Sequence, residues 1–229
     1  MKTIIITGAS RGIGRAISLQ LSKTYHVIAL ARSLPELEDL AKESSNISIY
    51  NVDITDYGAL KNTVSNILEL HKDIYGLINN AGVGVFKSLE DTSIEEMQQT
   101  FNVNVMGAFY LNKLLIPKLK EQKAGHIITI ESDVSKRTFA NGSSYCASKY
   151  AQEGMSASMR AELRPFNIKV SNLYPGMTDS YFAGSEQGEK HKEDWLKPED
   201  IAQAVEYVLS TPQNVVIDEL MIHPMCQEY

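Results

Sequence analysis

Short apolar runs alternate along the whole chain with segments of helical periodicity. The runs fall at 3–7, 26–31, 47–50, 74–79, 126–130, 168–173 and 215–222 and are often β-branched. They are of strand length and apolar at consecutive positions, the pattern of strands buried on both faces. Between them, Ile13, Ala16, Ile17, Gln20 and Leu21 recur with helical spacing, as do Leu60, Val64, Ile67 and Leu68. Ser93-Ile94-Glu95-Glu96 reads as a capping box opening a long helix that carries Met97, Phe101, Val105 and Phe109. Pro198, followed by Glu199 and Asp200, opens another. This βαβ rhythm predicts an α/β fold, a Rossmann-type doubly wound sheet of about seven parallel strands flanked by helices.

No composition break, repeat or linker divides the chain, so residues 1–229 are expected to form a single domain. The segment 177–195 lacks periodicity, carries Gly184, Gly188 and many charges, and reads as a mobile loop over the substrate. The net charge of −6 comes with no run of Lys or Arg, which argues against a nucleic-acid partner. The two cysteines, Cys146 and Cys226, form no framework and suit a reducing, cytoplasmic setting. No signal peptide is read at the N-terminus, and no apolar run reaches the roughly 20 residues that span a bilayer. His26, His71, His126, His191 and His223 show no metal-ligand spacing, so no metal is expected.

In a doubly wound sheet, ligands bind beyond the carboxyl ends of the strands. The polar residues there are the turn Thr7-Gly8-Ala9-Ser10-Arg11-Gly12-Ile13-Gly14, then Arg32, Asp53, Asn79-Asn80, Ser132 and Pro175-Gly176. Glycines between a strand and a helix let the backbone approach a pyrophosphate seated on the helix N-terminus. Arg32, with no acidic residue between His26 and Ser33, suits an NADP 2′-phosphate, and Arg11 is a second candidate. Asp53 can meet the adenine amino group or cap the helix after it. Tyr145 and Lys149, four apart, share a helix face. An ammonium beside a phenol lowers its pKa from about 10. Tyr57 and Lys61 match the same spacing, and Ser44 even repeats the thirteen-residue separation of Ser132 from Tyr145. Only Ser132 follows an apolar strand at the ligand edge; Ser44 precedes one.

These residues resemble the short-chain dehydrogenase/reductase family, compact single-domain branch. The matching set is Thr7-Gly8-x-x-x-Gly12-x-Gly14, Asn79-Asn80-Ala81-Gly82, Asn104, Ser132, Tyr145-x-x-x-Lys149, and Pro175-Gly176 with Thr178, in the family's order over nearly the whole chain. The resemblance implies an oxidoreductase that reduces a ketone or aldehyde with NADP(H) preferred and NAD(H) possible. Tyr145 would be general acid and Lys149 would lower its pKa and hold the nicotinamide ribose. Ser132 would bind the substrate oxygen, and Asn104 would steady a water. Cofactor contacts would come from Gly8, Ser10, Arg11, Gly12, Ile13, Gly14, Arg32, Asp53, Ile54, Asn80, Ala81, Gly82, Tyr145, Lys149, Pro175, Gly176 and Thr178. It also implies a small-molecule substrate, no membrane, and a homodimer or homotetramer packed through 93–120 and 143–163. Oxidation of a small alcohol or hydroxy acid, and a non-catalytic dinucleotide sensor, stand as alternatives. Glu131 and Asp133, flanking Ser132, depart from the family; they recognise a polar substrate or point away, solvated or paired.

Overall fold

The computed structural model describes residues 1–228. Seven strands, β1 (Thr3–Thr7), β2 (His26–Ala31), β3 (Ile47–Asn51), β4 (Ile74–Asn79), β5 (Gly125–Ile130), β6 (Ile168–Pro175) and β7 (Glu219–Ile222), form one sheet in the order β3-β2-β1-β4-β5-β6-β7. Every neighbouring pair is parallel. Six helices cover it: α1 (Gly12–Leu21), α2 (Leu34–Glu43), α3 (Tyr57–Leu70), α5 (Ala108–Gln122), α6 (Ser143–Leu163) and α7 (Pro198–Leu209), while α4 (Ile94–Phe101) leads into α5.

Strand alternation sorts the apolar residues into two cores. Ile4 and Ile6 face α1, α2 and α7 with Ile17, Leu21, Leu37, Leu40, Ile201 and Val205. Ile5, Ile28 and Leu30 face α3, α5 and α6 with Leu60, Val64, Leu111, Leu115 and Leu163. Both faces of the central strands are therefore dry, as the continuous apolar runs require. The direction of winding reverses between β1 and β4. That reversal opens a crevice at their carboxyl ends.

Three expectations change. The last strand starts at Glu219; residues 215–218 precede it, with the Asp218 carbonyl accepting from the Asn172 amide at 3.0 Å. The helix opened by the Ser93 capping box is interrupted, because residues Asn102–Gly107 adopt a π-helical segment. A Cβ on Gly107 would stand 2.6 Å from Cδ1 of Ile54, so the bulge lets this helix press against the loop after β3. The segment 177–195 is tied down rather than loose. Asp179 accepts from the Gly188 amide at 2.8 Å and pairs with Lys197 at 3.2 Å, Lys192 is buried against Glu189, and Thr178 bridges to Leu196.

Candidate active site

β1 ends in Thr7, whose hydroxyl accepts from the amides of Asn80 and Ala81, both at 3.0 Å. Asn80 replies through Nδ2, donating to the carbonyls of Thr7 at 2.8 Å and Gly8 at 3.2 Å. The two strands flanking the crevice are thus stapled together, and the glycine turn is shaped by Asn80 from outside. Gly8 and Gly12 hold φ of 63° and 54°, the left-handed region that disfavours side chains. A Cβ on Gly14 would collide with the Gly8 carbonyl and the Asn80 amide. Arg11 precedes α1 without capping it through its side chain, so the first amides of α1 open onto the crevice. The Arg11 guanidinium lies 5.5 Å from the Tyr181 ring centroid.

A cavity of about 890 Å³ runs from this turn to the end of β5 and β6. It brings together every cofactor-contact candidate, from Gly8, Arg32 and Asp53 to Gly82 and Thr178, with Ser132, Tyr145 and Lys149. Asn79 and Asn104 lie behind its wall. Arg32 stands 3.9 Å from Asp53, and both are partly exposed. Asp53 does not cap α3. Its Oδ1 accepts from the amide and hydroxyl of Thr55, and the cap is Asp56, which accepts from the Ala59 amide.

Ser132 leaves β5 in extended backbone, and Tyr145 and Lys149 come down from α6. All three are buried. The Lys149 ammonium donates to the Ile130 carbonyl at 2.9 Å and lies 5.8 Å from the Tyr145 ring centroid. Burial pushes the Tyr145 phenol well above its ordinary value, although the Ser132 hydroxyl, within hydrogen-bond reach, pulls the other way. The lowering expected from Lys149 therefore does not prevail here, because desolvation of a phenolate outweighs an ammonium held at this remove. Burial also lowers Lys149, partly offset by Glu131.

The carboxylates beside Ser132 are not solvated. Glu131 is buried against Lys149 and accepts from Ser135 at 3.1 Å, and burial pushes its carboxyl up to about 7. Asp133 accepts from the Ser132 hydroxyl at 3.1 Å, from Arg137 Nε at 2.9 Å and from Gln227 at 2.7 Å. Gln227 also accepts from the Met177 amide at 2.8 Å, so the segment after β7 locks the loops after β5 and β6 together. Gly176 is needed there, since a Cβ would strike the Gln227 side chain. Arg137 and Gln227 were not legible as site residues: Gln227 is 94 positions from its partner and belongs to no motif.

Asn104 is fully buried on the π-helical segment. Its amide accepts from Val83 N at 2.8 Å and donates to Val83 O and to Ser148 Oγ, both at 2.9 Å. Both its donors are spent inside the protein, so this side chain braces α6 below Tyr145 through Ser148. Among the described residues no cluster of metal-binding side chains occurs. No described helix is long and apolar enough to cross a membrane.

A crevice at the sheet's reversal, a glycine cradle and a Ser-Tyr-Lys set define the class, and the chain belongs to the short chain dehydrogenase family, whose model matches residues 2–191. It is an NAD(P)-dependent oxidoreductase of that family. It is 31% identical to a sepiapterin reductase of Chlorobaculum tepidum, over 96% of this chain and 95% of that one. It is 28% identical to an NADP-dependent 3-hydroxy acid dehydrogenase of Schizosaccharomyces pombe, over 99% and 93%. An alcohol dehydrogenase from Thermococcus sibiricus complexed with 5-hydroxy-NADP superposes with a TM-score of 0.94 and 33% identity, covering 100% and 99%. The residues present fit a dinucleotide: the cradle that side chains on Gly8, Gly12 or Gly14 would distort faces the uncapped start of α1.

Proposed function

We infer that this protein is an NADPH-preferring carbonyl reductase with Tyr145 as general acid. The observation that carries the reading is a buried Ser132, Tyr145 and Lys149 at one end of a cavity whose other end presents Arg32 directly after β2. An acidic residue in that place would hold a ribose 2′-hydroxyl, whereas an arginine accommodates a 2′-phosphate. The NADP named for two of the similar proteins supports the same preference.

The bound dinucleotide supplies the hydride. Tyr145, like any phenol, holds its proton at neutral pH, and burial favours that form further. As negative charge develops on the carbonyl oxygen, Tyr145 Oη releases that proton to it, and the Ser132 hydroxyl donates to the same oxygen. Ser132 must turn from Asp133 to do so, since it has one proton. Lys149 then stabilises the phenolate left behind until solvent protons return. Asn104 keeps this end of α6 in register through Ser148, whose hydroxyl donates to the Tyr145 carbonyl.

The reverse reaction, oxidation of a hydroxy acid, is favoured by one relative's name. Phe109 and Tyr150, 42% and 45% exposed on α5 and α6, support self-association through those helices. The reading is tested by following cofactor oxidation with a panel of ketones and aldehydes. NADPH should give at least ten times the kcat/KM of NADH. Equal values overturn the cofactor preference, and tight NADPH binding without turnover of any carbonyl overturns the reductase.

A further inference from the structure

Three phenylalanines from three separate loops converge on Tyr145. Phe86 follows β4, Phe139 follows β5 and Phe182 follows β6. The Phe86 ring lies 5.4 Å from Phe139, 5.7 Å from Tyr145 and 6.1 Å from Phe182, and Phe182 lies 5.3 Å from Tyr145. All of these are within the range in which aromatic rings attract. The first two pairs are edge-to-face, with interplanar angles of 74° and 76°.

The backbone makes room for these rings. A Cβ on Gly84 would stand 2.7 Å from the Phe182 ring, and one on Gly142 would stand 2.5 Å from that of Phe139. Each ring is seated against a glycine, and none fills the main core. Phe86 and Phe139 nevertheless remain 47% and 37% exposed while lining the cavity that holds Ser132. Open ring surface beside a buried proton donor is surface that a ligand covers.

We propose that Phe86, Phe139 and Phe182 form a stacking subsite, and that the carbonyl reduced here is borne directly on an aromatic or otherwise planar unsaturated ring. This rests on the reductase reading and names its substrate class. Stacking rewards a flat ring over a puckered one of similar size, because a flat face meets an aromatic neighbour over more of its area. Paired with each other, Asp133 and Arg137 add polar groups to the same cavity without a net charge.

The test compares acetophenone with cyclohexyl methyl ketone, which share the methyl ketone and ring size but differ in ring flatness and carbonyl conjugation, and reads how Phe86→Leu moves their ratio, in which the intrinsic reactivity difference cancels. NADPH-dependent kcat/KM should be at least tenfold higher for acetophenone. Phe86→Leu, which keeps apolar bulk, should cut that ratio at least fivefold, mostly through KM, and Phe86→Tyr should restore it. Equal kcat/KM for the two ketones, or a ratio unmoved by Phe86→Leu, overturns the subsite. Turnover of neither ketone, nor of any other carbonyl, overturns the reductase reading instead. In that event, calorimetric binding of the two ketones to the NADP⁺-loaded protein still decides the subsite, tighter binding of acetophenone supporting it and equal binding refuting it.

Discussion

Tyr57 and Lys61 open α3 with the spacing that Tyr145 and Lys149 show in α6. Both helices begin at the carboxyl edge of the sheet, so neither spacing nor edge tells the pairs apart. Their surroundings do. β3, which feeds α3, is an outer strand, and Tyr57 and Lys61 are exposed, with Tyr57 resting on the Tyr110 ring at 5.1 Å. β5, which feeds α6, is interior and ends in Ser132, and both Tyr145 and Lys149 are buried there. Ser44 lies at the other end of its helix layer, at the C-cap of α2 before β3 begins. On the reading proposed for Tyr145, the proton donor is set apart by what a strand delivers beside the phenol and by the loss of water around it, with the ammonium one turn away as its charge partner.

Substitutions can break this contrast in turn. Lys149→Met should lower kcat/KM by about 10²–10³, as loss of a transition-state charge partner does, whereas Lys61→Met should leave steady-state kinetics within a factor of about two. Ser132→Ala should lower kcat by on the order of 10²-fold with little change in NADPH affinity measured by fluorescence titration. Arg32→Ala should weaken NADPH binding roughly tenfold or more and leave NADH nearly unchanged, since one charge-assisted hydrogen bond is worth about 1.5–3 kcal/mol.

Glu131 gives a smaller effect, read in stability. Its folded carboxyl is raised to about 7 from 4.5, so burial favours the neutral form. The stability tied to that form is fully present below pH 4.5 and is lost as pH rises towards 7. The parent's melting temperature should therefore fall more between pH 5 and pH 8 than that of Glu131→Gln, in thermal scans. His126, buried against Ser171 and lowered to about 3, works in the opposite sense. Its neutral-form stability is present above pH 6.5 and is lost as pH falls towards 3.

Much of the fold was legible because consecutive apolar runs such as Ile4-Ile5-Ile6 and Ile127-Ile128 allow only strands wetted on neither face. The site motifs were legible because the βαβ order puts them on one edge. Asn104 was singled out by its motif, but its bracing of Ser148 was not foreseen, because a π-helical turn leaves no mark in the apolar spacing. The pairing of Asp133 with Arg137 and Gln227, and the phenylalanine cluster, depend on loops meeting across the crevice. No local period carries that information. The burial that raises the Tyr145 phenol is not visible in sequence, which shows only the cation one turn away.

The most direct test is NADPH oxidation with a turned-over carbonyl by Tyr145→Phe and Tyr57→Phe, each measured beside the parent protein. Loss of the general acid should lower kcat by about 10²–10⁴ in Tyr145→Phe, with NADPH still bound, while Tyr57→Phe stays within about twofold of the parent. Full activity in Tyr145→Phe, or an equal loss in both variants, would contradict the assignment of proton transfer to Tyr145.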